Sequence, residues 1–261
     1  MAEVKRREQM QGSRFALAAV LVIVLLTALA GCGKPSQASV EAMIQKAYTN
    51  TAEVQSLRWR ETTNSIDSSR EGQGITEGER VLPDRQHRKW GYQAPGIDIS
   101  SEDFFIGTTT YSKFVQDREW RVFQRERAID LRGLPFYPLV YLQFLTEPVR
   151  LEDAKIDSLR CLHYRGGVDI DSFLPAVTMP DPQAPGYSLS EQEREDLKAY
   201  LERMKQSKWV LKVWISEGDL LVRRLELDAI YSEDGGQPLF SERRVVEFYD
   251  FNTPIDIRPP I

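Results

Sequence analysis

The fold of this 261-residue chain is constrained most by about ten short runs in which apolar and polar residues alternate. Examples are LRWRETTNSI (57–66), EDFFIGTTTYSKFV (102–115) and WVLKVWIS (209–216). Alternation with a period of two predicts strands that have one apolar and one polar face. The runs are separated by turn residues such as Pro83-Asp84 and Gly218-Asp219 rather than by regularly spaced helices. This order predicts a large antiparallel sheet.

Three segments have helical rather than strand periodicity. The first follows Ser39 and repeats apolar residues from Val40 to Tyr48 at helical spacing. The second is the very apolar stretch LPFYPLVYLQFL (134–145), and the third starts at Ser190 with a capping box and carries an apolar stripe to Met204. Residues 175–187 contain four prolines and are predicted to be a loop. The fold class is therefore α+β: about ten strands in a strongly curved sheet packed over about three helices.

The first 32 residues have the pattern of an export signal. A basic head that contains Arg6 and Arg7 precedes an apolar run from Phe15 to Ala30, and Leu29-Ala30-Gly31 places small residues before Cys32. These last four residues resemble a bacterial lipobox, in which the cysteine sulfur is alkylated with diacylglycerol and the new N-terminus is acylated, for example with palmitate. The alternatives are a transmembrane anchor, for which the run is short, and a chance cysteine after an ordinary signal peptide.

Cleavage before Cys32 would divide the chain into a signal peptide (1–31), an acylated tether (32–38) and one domain (39–261). Four of the 34 basic and two of the 39 acidic residues precede Cys32, so the mature 230 residues carry a net charge of −7. An acidic surface argues against nucleic-acid binding. Two or more acyl chains hold a protein stably on a membrane, so the membrane is one expected partner.

Residues that could carry chemistry are few. His87 and His163 lie in strand-like runs without acidic partners at metal-ligand spacing, and Asp169-x-Asp171 fits a solvated turn better than a cation site. Cys161 alternates within LRCLHY, as a buried small residue would. The nucleophile-elbow, Walker and dinucleotide motifs do not occur. We therefore expect no enzyme activity, no metal and no cofactor, with a hydrolase as the least favoured alternative.

Aromatic residues are numerous: five tryptophans, ten tyrosines and eleven phenylalanines. Any one of them is most simply explained as part of an ordinary core. A wide curved sheet, however, has difficulty filling its concave side, and an unfilled apolar concavity would accept an acyl chain. Composition alone leaves both interpretations open.

The order of these parts resembles the LolA/LppX-type lipoprotein superfamily, and in particular its LppX/LprG-like branch. The resemblance covers residues 37–260 and rests on the lipobox, the opening EAMIQKAYTNTAEVQSLRWRET, the strand pair GTTTYSKFVQDREW, VLKVWISEGDLLVRRLEL and the closing EFYDFNTPIDIRPP. It implies an incomplete β-barrel with an apolar cavity between sheet and helices. It also implies binding and transport of lipids or lipoproteins in the envelope without covalent chemistry.

The expected function is that of a monomeric lipoprotein on the outer side of the cytoplasmic membrane, or on the outer membrane if the cell has one, which binds a lipid or acylated ligand. The alternative is an envelope sensor or assembly module that uses the same fold to bind a protein partner. The site residues that we predict are Cys32 for acylation and, for the cavity, six residues from the strands and the apolar helix: Trp59, Phe105, Tyr111, Leu142, Trp214 and Leu225.

Overall fold

A twelve-stranded antiparallel sheet forms most of the protein in the computed structural model. The structure describes residues 36–67, 71–127, 131, 138–178, 195, 198, 202, 204–232 and 239–261. The predicted signal peptide, Cys32 and the capping box at Ser190 lie outside these residues. Residues 40–261 form one compact unit, which contains the whole sheet.

The first half of the chain forms helix α1 and a meander of six strands. The bounds are α1 Gln37–Ala52, β1 Ser56–Asp67, β2 Glu71–Val81, β3 Arg85–Ala94, β4 Ile97–Ile106, β5 Thr109–Phe114 and β6 Arg121–Gln124. The second half comprises a 3-10 helix Leu139–Phe144, β7 Leu145–Arg150, β8 Ala154–Ile156, β9 Leu159–Val168, α2 Ile170–Thr178, β10 Lys208–Ser216, β11 Val222–Tyr231 and β12 Phe240–Tyr249.

The first and last strands pair in the middle of the sheet. The strand order is β6-β5-β4-β3-β2-β1-β12-β11-β10-β9-β7, and β8 pairs with β9. The sheet therefore has two open edges, β6 and β7, and does not close. The chain must pass from one edge to the other between these two strands, and the 3-10 helix belongs to this connection. The predicted α+β class with an incomplete barrel is confirmed.

Strand register assigns every side chain to one of two faces. The inner face carries Leu57 and Trp59 of β1, Val246 and Phe248 of β12, and Leu225 of β11, which are all buried. The outer face carries the residues between them, such as Arg60 and Glu247. Helix α1 contributes Val40, Ile44 and Ala47 to the same core, and the 3-10 helix and α2 contribute Leu139–Leu142, Ile170, Phe173 and Leu174. The hydrophobic core thus lies on the inner face.

The N-terminal cap of α1 differs from the prediction. The helix begins at Gln37, and the hydroxyl of Ser36 accepts a hydrogen bond from the backbone N–H of Ser39 at 3.3 Å. Ser36 satisfies a free N–H of the first turn, which is the role of an N-cap residue. Ser39 itself lies inside the helix and donates to the carbonyl of Ser36.

Two predicted segments have a different secondary structure. The apolar stretch around Leu142 is a 3-10 helix rather than an α-helix, and Pro148 lies inside β7. Proline is tolerated there because β7 is an edge strand. The predicted loop from residue 175 begins inside α2, whose first turn is capped by Asp169: its carboxylate accepts hydrogen bonds from the Ser172 N–H (3.2 Å) and hydroxyl (2.7 Å).

Candidate functional site

The structure does not bring the six predicted cavity residues together. Trp59, Leu225 and Leu142 are only 2%, 1% and 5% exposed and belong to the same buried cluster. Phe105 is half-buried on the inner face, where it pairs across strands with Gln86 and Thr110. Tyr111 and Trp214 lie on the outer face. The centre of the inner face is therefore filled by packed side chains, and the part of this face that solvent can reach lies on other strands.

Trp59 is held flat against a neighbouring strand by a glycine. Gly78 of β2 is its direct cross-strand partner, and a Cβ added there would lie 2.0 Å from Cζ2 of the indole. Any other residue would displace the ring, because real Cβ contacts are never that short. The close approach of ring and backbone closes the core between β1 and β2.

Trp214 has a structural role on the outer face. Its ring stacks on His163 of β9 with centroids 4.2 Å apart, and the guanidinium of Arg224 lies 5.5 Å from its centroid. Burial, followed by the positive charge of Lys212, lowers the pKa of His163 below its usual value. The imidazole is therefore neutral near pH 7 and packs as an aromatic ring.

A buried charge cluster lies on the inner face next to the apolar core. We define it as Glu61 of β1, Glu242 and Arg244 of β12, and Tyr141 of the 3-10 helix. Arg244 lies 3.2 Å from a carboxylate oxygen of Glu61 and 2.8 Å from one of Glu242. Its Nη1 also donates to the hydroxyl of Tyr141 at 3.1 Å. The cluster therefore links the 3-10 helix to the central strands of the sheet.

Arg244 is paired with two carboxylates in this cluster, those of Glu61 and Glu242. The pKa values of both carboxyl groups are shifted. Burial raises the pKa of Glu61, although Arg244 opposes the shift. Burial and the nearby charge of Glu61 raise the pKa of Glu242 to about 7. Burial also lowers the pKa of Arg244, but a guanidinium remains protonated in proteins. The cluster thus binds or releases a proton near neutral pH.

The accessible part of the inner face lies on β3 to β6. We call it the aromatic surface, and it consists of Trp90, Tyr92, Ile99, Phe105, Phe114 and Phe123, which alternate in register on one side of the sheet. Ile99, Phe114 and Phe123 are 42%, 37% and 46% exposed. Grouped apolar side chains that remain exposed indicate a binding surface more often than isolated ones do.

A row of polar groups interrupts the aromatic surface. Arg88 of β3 lies 2.8 Å from the carboxylate of Asp103 on β4, and Ser112 of β5 donates to the same carboxylate at 2.7 Å. These three residues occupy one cross-strand row, and the row continues to Gly78 and Trp59. The positive charge of Arg88 also acts on Glu61. The polar row therefore runs through the aromatic surface, with Phe105 and Phe123 on one side of it and Trp90, Phe114 and Ile99 on the other.

The sequence matches no family model and no curated protein sequence. Its fold, in contrast, matches solved structures. The crystal structure of LprF from Mycobacterium bovis has a TM-score of 0.52 and 13% sequence identity, and the match covers 87% of this chain and 99% of that one. Lipoprotein LppX from Mycobacterium tuberculosis has a TM-score of 0.51 and 13% identity, with coverage of 85% and 100%. The chain has the LppX-type fold.

The order of sequence elements indicates a resemblance to the LolA/LppX-type superfamily. The LppX-type fold confirms this resemblance in architecture. Both matched chains are covered almost completely, so the whole of each aligns with this chain. A shared fold preserves the order of sequence elements, on which the resemblance rests, even at 13% identity. Side chains are not preserved at this distance, and the site must therefore be argued from the residues of this chain.

Other predicted features of the LppX-type domain have ordinary structural roles. Cys161 is a buried free thiol, and burial raises its pKa. His87 lies between the carboxylates of Glu102 (2.8 Å) and Glu79 (3.6 Å) and stacks on Phe104. Within the described ranges, no group of three metal-ligating side chains is close enough to hold an ion. No helix in the described part of the chain is long and apolar enough to cross a membrane.

Sequence reasoning missed the charge cluster, but a signal for it exists. Glu61 has the same strand parity as Leu57 and Trp59, and Arg244 has the same parity as Val246 and Phe248. A charged residue in phase with an apolar face is the expected sign of a buried ion pair. Parity also places Trp214 with Lys212, and Tyr111 with Lys113, on the polar face.

Proposed function

We propose that the protein is an envelope lipoprotein that is anchored through acylated Cys32, binds a lipid or acylated ligand on its inner face, and carries or presents it. The observation that carries this proposal is the aromatic surface, which remains exposed beside a closed core. The LppX-type fold supports it, because LppX is itself a lipoprotein. The role that we propose involves no catalysis and no cofactor.

The ligand that fits the inner face is amphiphilic. Its acyl chain would lie against Trp90, Ile99 and Phe114, on one side of the polar row, where burial of apolar area contributes roughly 25 cal/mol per Å². Its polar head would lie toward Arg88 and Asp103, which supply a donor and an acceptor 2.8 Å apart. A ligand with both parts would cover the aromatic rings with its acyl chain. Its head would give the Arg88–Asp103 pair polar contacts in place of water.

A second candidate function is an envelope sensor or assembly module that binds a protein. The packing of Trp59, Leu142 and Leu225 favours it, because these side chains are covered by protein and leave no room for a chain between sheet and helices at that point. In this case the aromatic surface would bind an apolar segment of the partner.

Native mass spectrometry of residues 33–261, expressed in a bacterial envelope and purified gently, tests the first candidate. The informative variant replaces two inner-face aromatics, Phe114→Ser with Phe123→Ser. Its matched control replaces their exposed outer-face neighbours, Val115→Ser with Val122→Ser. We expect bound lipid in the wild type and the control and little in the inner-face variant.

Two other results would reject lipid binding on the inner face. One is lipid retention that the inner-face variant leaves unchanged. The other is a wild-type protein that repeatedly carries no lipid but retains a membrane protein in affinity purification, and that loses this partner when Phe114 and Phe123 are replaced. The second result would establish the interaction module.

A further inference from the structure

A half-open pocket lies on the outer face of the sheet, opposite the aromatic surface. Its volume is about 500 Å³, within the range of small-molecule sites. Gly91 of β3 and Ser100 of β4, which are cross-strand partners, form its floor. Ile75 flanks the floor on β2, and Val115 flanks it where the backbone N–H of Val115 donates to the carbonyl of Ser100 at 2.9 Å.

The floor is open because the residues that form it have small side chains. The backbone at Gly91 does not itself require glycine. A Cβ at Gly91 would meet only Ser100 Cβ at 3.8 Å and a backbone oxygen at 4.0 Å, which are ordinary contacts. A Cβ at this position is therefore sterically tolerable, and a small branched side chain would extend from it into the pocket. This feature offers a way to block the site without removing any of its walls.

One wall is a tryptophan whose position is set by its neighbours. Trp120 lies in the connection between β5 and β6, and its ring meets Phe104 edge to face with centroids 5.5 Å apart. The ammonium group of Lys113 lies 5.8 Å from its centroid. Phe104 is in turn stacked on His87 at 4.1 Å. The indole is thus held in place at the pocket without being fully buried.

The other wall is a row of alternating charges. Glu77, Lys89, Glu102 and Lys113 are direct cross-strand partners on β2 to β5, so they stand about 4.8 Å apart from strand to strand. Lys89 lies 3.4 Å from Oε1 of Glu102, and Nε2 of His87 lies 2.8 Å from the same oxygen. Both contacts use Oε1, so in the described part of the chain Oε2 can accept a hydrogen bond from a ligand.

This arrangement discriminates between ligand classes. The four charged groups of the row cancel, so the pocket has no net charge with which to attract an anion or a cation. Burying an acyl chain there would strip water from four charged groups, which is costly. Hydroxyl groups, in contrast, donate to carboxylates and accept from ammonium groups at the same time. An aromatic wall beside such a row suits a molecule with one apolar face and a polar edge.

We propose that the outer-face pocket binds a neutral saccharide, whose C–H face packs on Trp120 and whose hydroxyls bond to Glu102 and Lys113. Glu102 and Lys113 lie on the opposite face of the sheet from the aromatic surface, although Trp90 and Phe114 of that surface also line the pocket. The pocket would allow the protein to contact glycans of the envelope.

The test uses the full-length protein, purified from membranes in a detergent without a sugar headgroup and labelled with fluorotryptophan. The five tryptophans then give separate fluorine NMR signals, which single Trp→Phe variants assign. The probes are maltose, cellobiose, trehalose and N,N′-diacetylchitobiose. We expect at least one of them to shift the Trp120 signal saturably and to leave that of Trp214, on the same face, unchanged.

Three variants locate the binding. Gly91→Val should abolish the shift by filling the floor, and Glu102→Gln should weaken binding by about tenfold or more because a charged acceptor is lost. Glu247→Gln removes a carboxylate from the outer face of β12, outside the pocket, and should bind like the wild type. Thermal melting of each variant shows that it is folded.

Several outcomes would overturn the proposal. The first is the absence of a saturable Trp120 shift with all four probes. The second is binding that Gly91→Val and Glu102→Gln leave intact. The third is a Trp120 response to a charged probe alone, glucuronic acid or a basic peptide, which would assign the pocket to a different class of ligand.

Discussion

The carboxylate of Glu61 lies 3.2 Å from the guanidinium of Arg244 on the inner face of the sheet, two residues along β1 from the buried ring of Trp59. An inner face that holds an ion pair beside its core is not a uniform apolar cavity. The pair also anchors Tyr141 of the 3-10 helix, so the helix and the central strands share one polar contact. The charge cluster therefore bears on both stability and ligand choice.

Glu242 should make the stability of the fold depend on pH. Its pKa is raised to about 7 from an ordinary 4.5, so between these values the folded state retains a proton that the unfolded state has lost. The free energy of unfolding should therefore fall as pH rises through this window, by on the order of 3 kcal/mol at most. Urea unfolding at pH 5.5 and pH 8 measures it. Glu242→Gln should reduce this loss of stability between pH 5.5 and pH 8. Glu247→Gln, at an exposed position of the same strand, should show the same loss as the wild type. If both variants lost the same stability, Glu242 would not be the group responsible.

Gly78→Ala should destabilise the protein by about 1–3 kcal/mol, because a Cβ at that position would overlap the ring of Trp59. The emission of Trp59 should also shift to the red as the ring moves toward water. The control is Gly91→Ala on the next strand, where the Cβ has room and stability should change little. Chemical denaturation with tryptophan fluorescence reports both effects, and similar losses in the two variants would exclude a specific clash.

Leu225→Ala should cost about 2–5 kcal/mol of unfolding free energy, which is typical of a large-to-small change in a packed core. Ile230→Ala is the matched control, since Ile230 is on the same strand but exposed, and its cost should be small. If Leu225 instead lined an open cavity, its replacement would affect ligand retention more than stability. Denaturation and native mass spectrometry on the same samples separate the two cases.

Thr51→Val should destabilise the contact between α1 and β11 by about 1–3 kcal/mol. The buried hydroxyl of Thr51 donates to the carbonyl of Ala47 at 2.8 Å and accepts from the N–H of Val222 at 2.9 Å. Valine has the same shape but leaves that N–H without its acceptor. Thr51→Ser retains the hydroxyl and should recover most of the loss in thermal melting; a serine variant as unstable as the valine variant would indicate a packing effect.

Thiol labelling should distinguish the two cysteines. Cys161 is buried and its pKa is raised, so it should react with a maleimide only after unfolding. The mature protein should then show no reactive thiol when folded and one when denatured, because the sulfur of Cys32 would carry diacylglycerol. Two thiols in the denatured protein would show that Cys32 is not acylated. Intact-mass measurement of the N-terminal peptide provides an independent check.

The sequence by itself determined the class of fold, because strand periodicity and turn residues are local properties. The alternation of LRWRETTNSI and the other runs predicts the strands, and the order of the elements indicates the LppX-type architecture that the structure has. It also indicated that Cys161 is buried, since parity within a strand is sufficient for that.

Only the tertiary structure decided which aromatics form the core and which remain accessible. Trp59 and Trp214 both lie in alternating strands, but Trp59 packs over Gly78 whereas Trp214 stacks on His163 on the opposite face. Parity assigns each ring to a face, but the side chains that cover or leave open that ring come from pairings between residues far apart in the chain, such as Trp59 with Phe248. The same long-range register brings Glu61 to Arg244 and sets Glu102 beside Lys113. Local sequence specifies the strand, while the neighbours that fill or leave open its surface come from elsewhere in the chain.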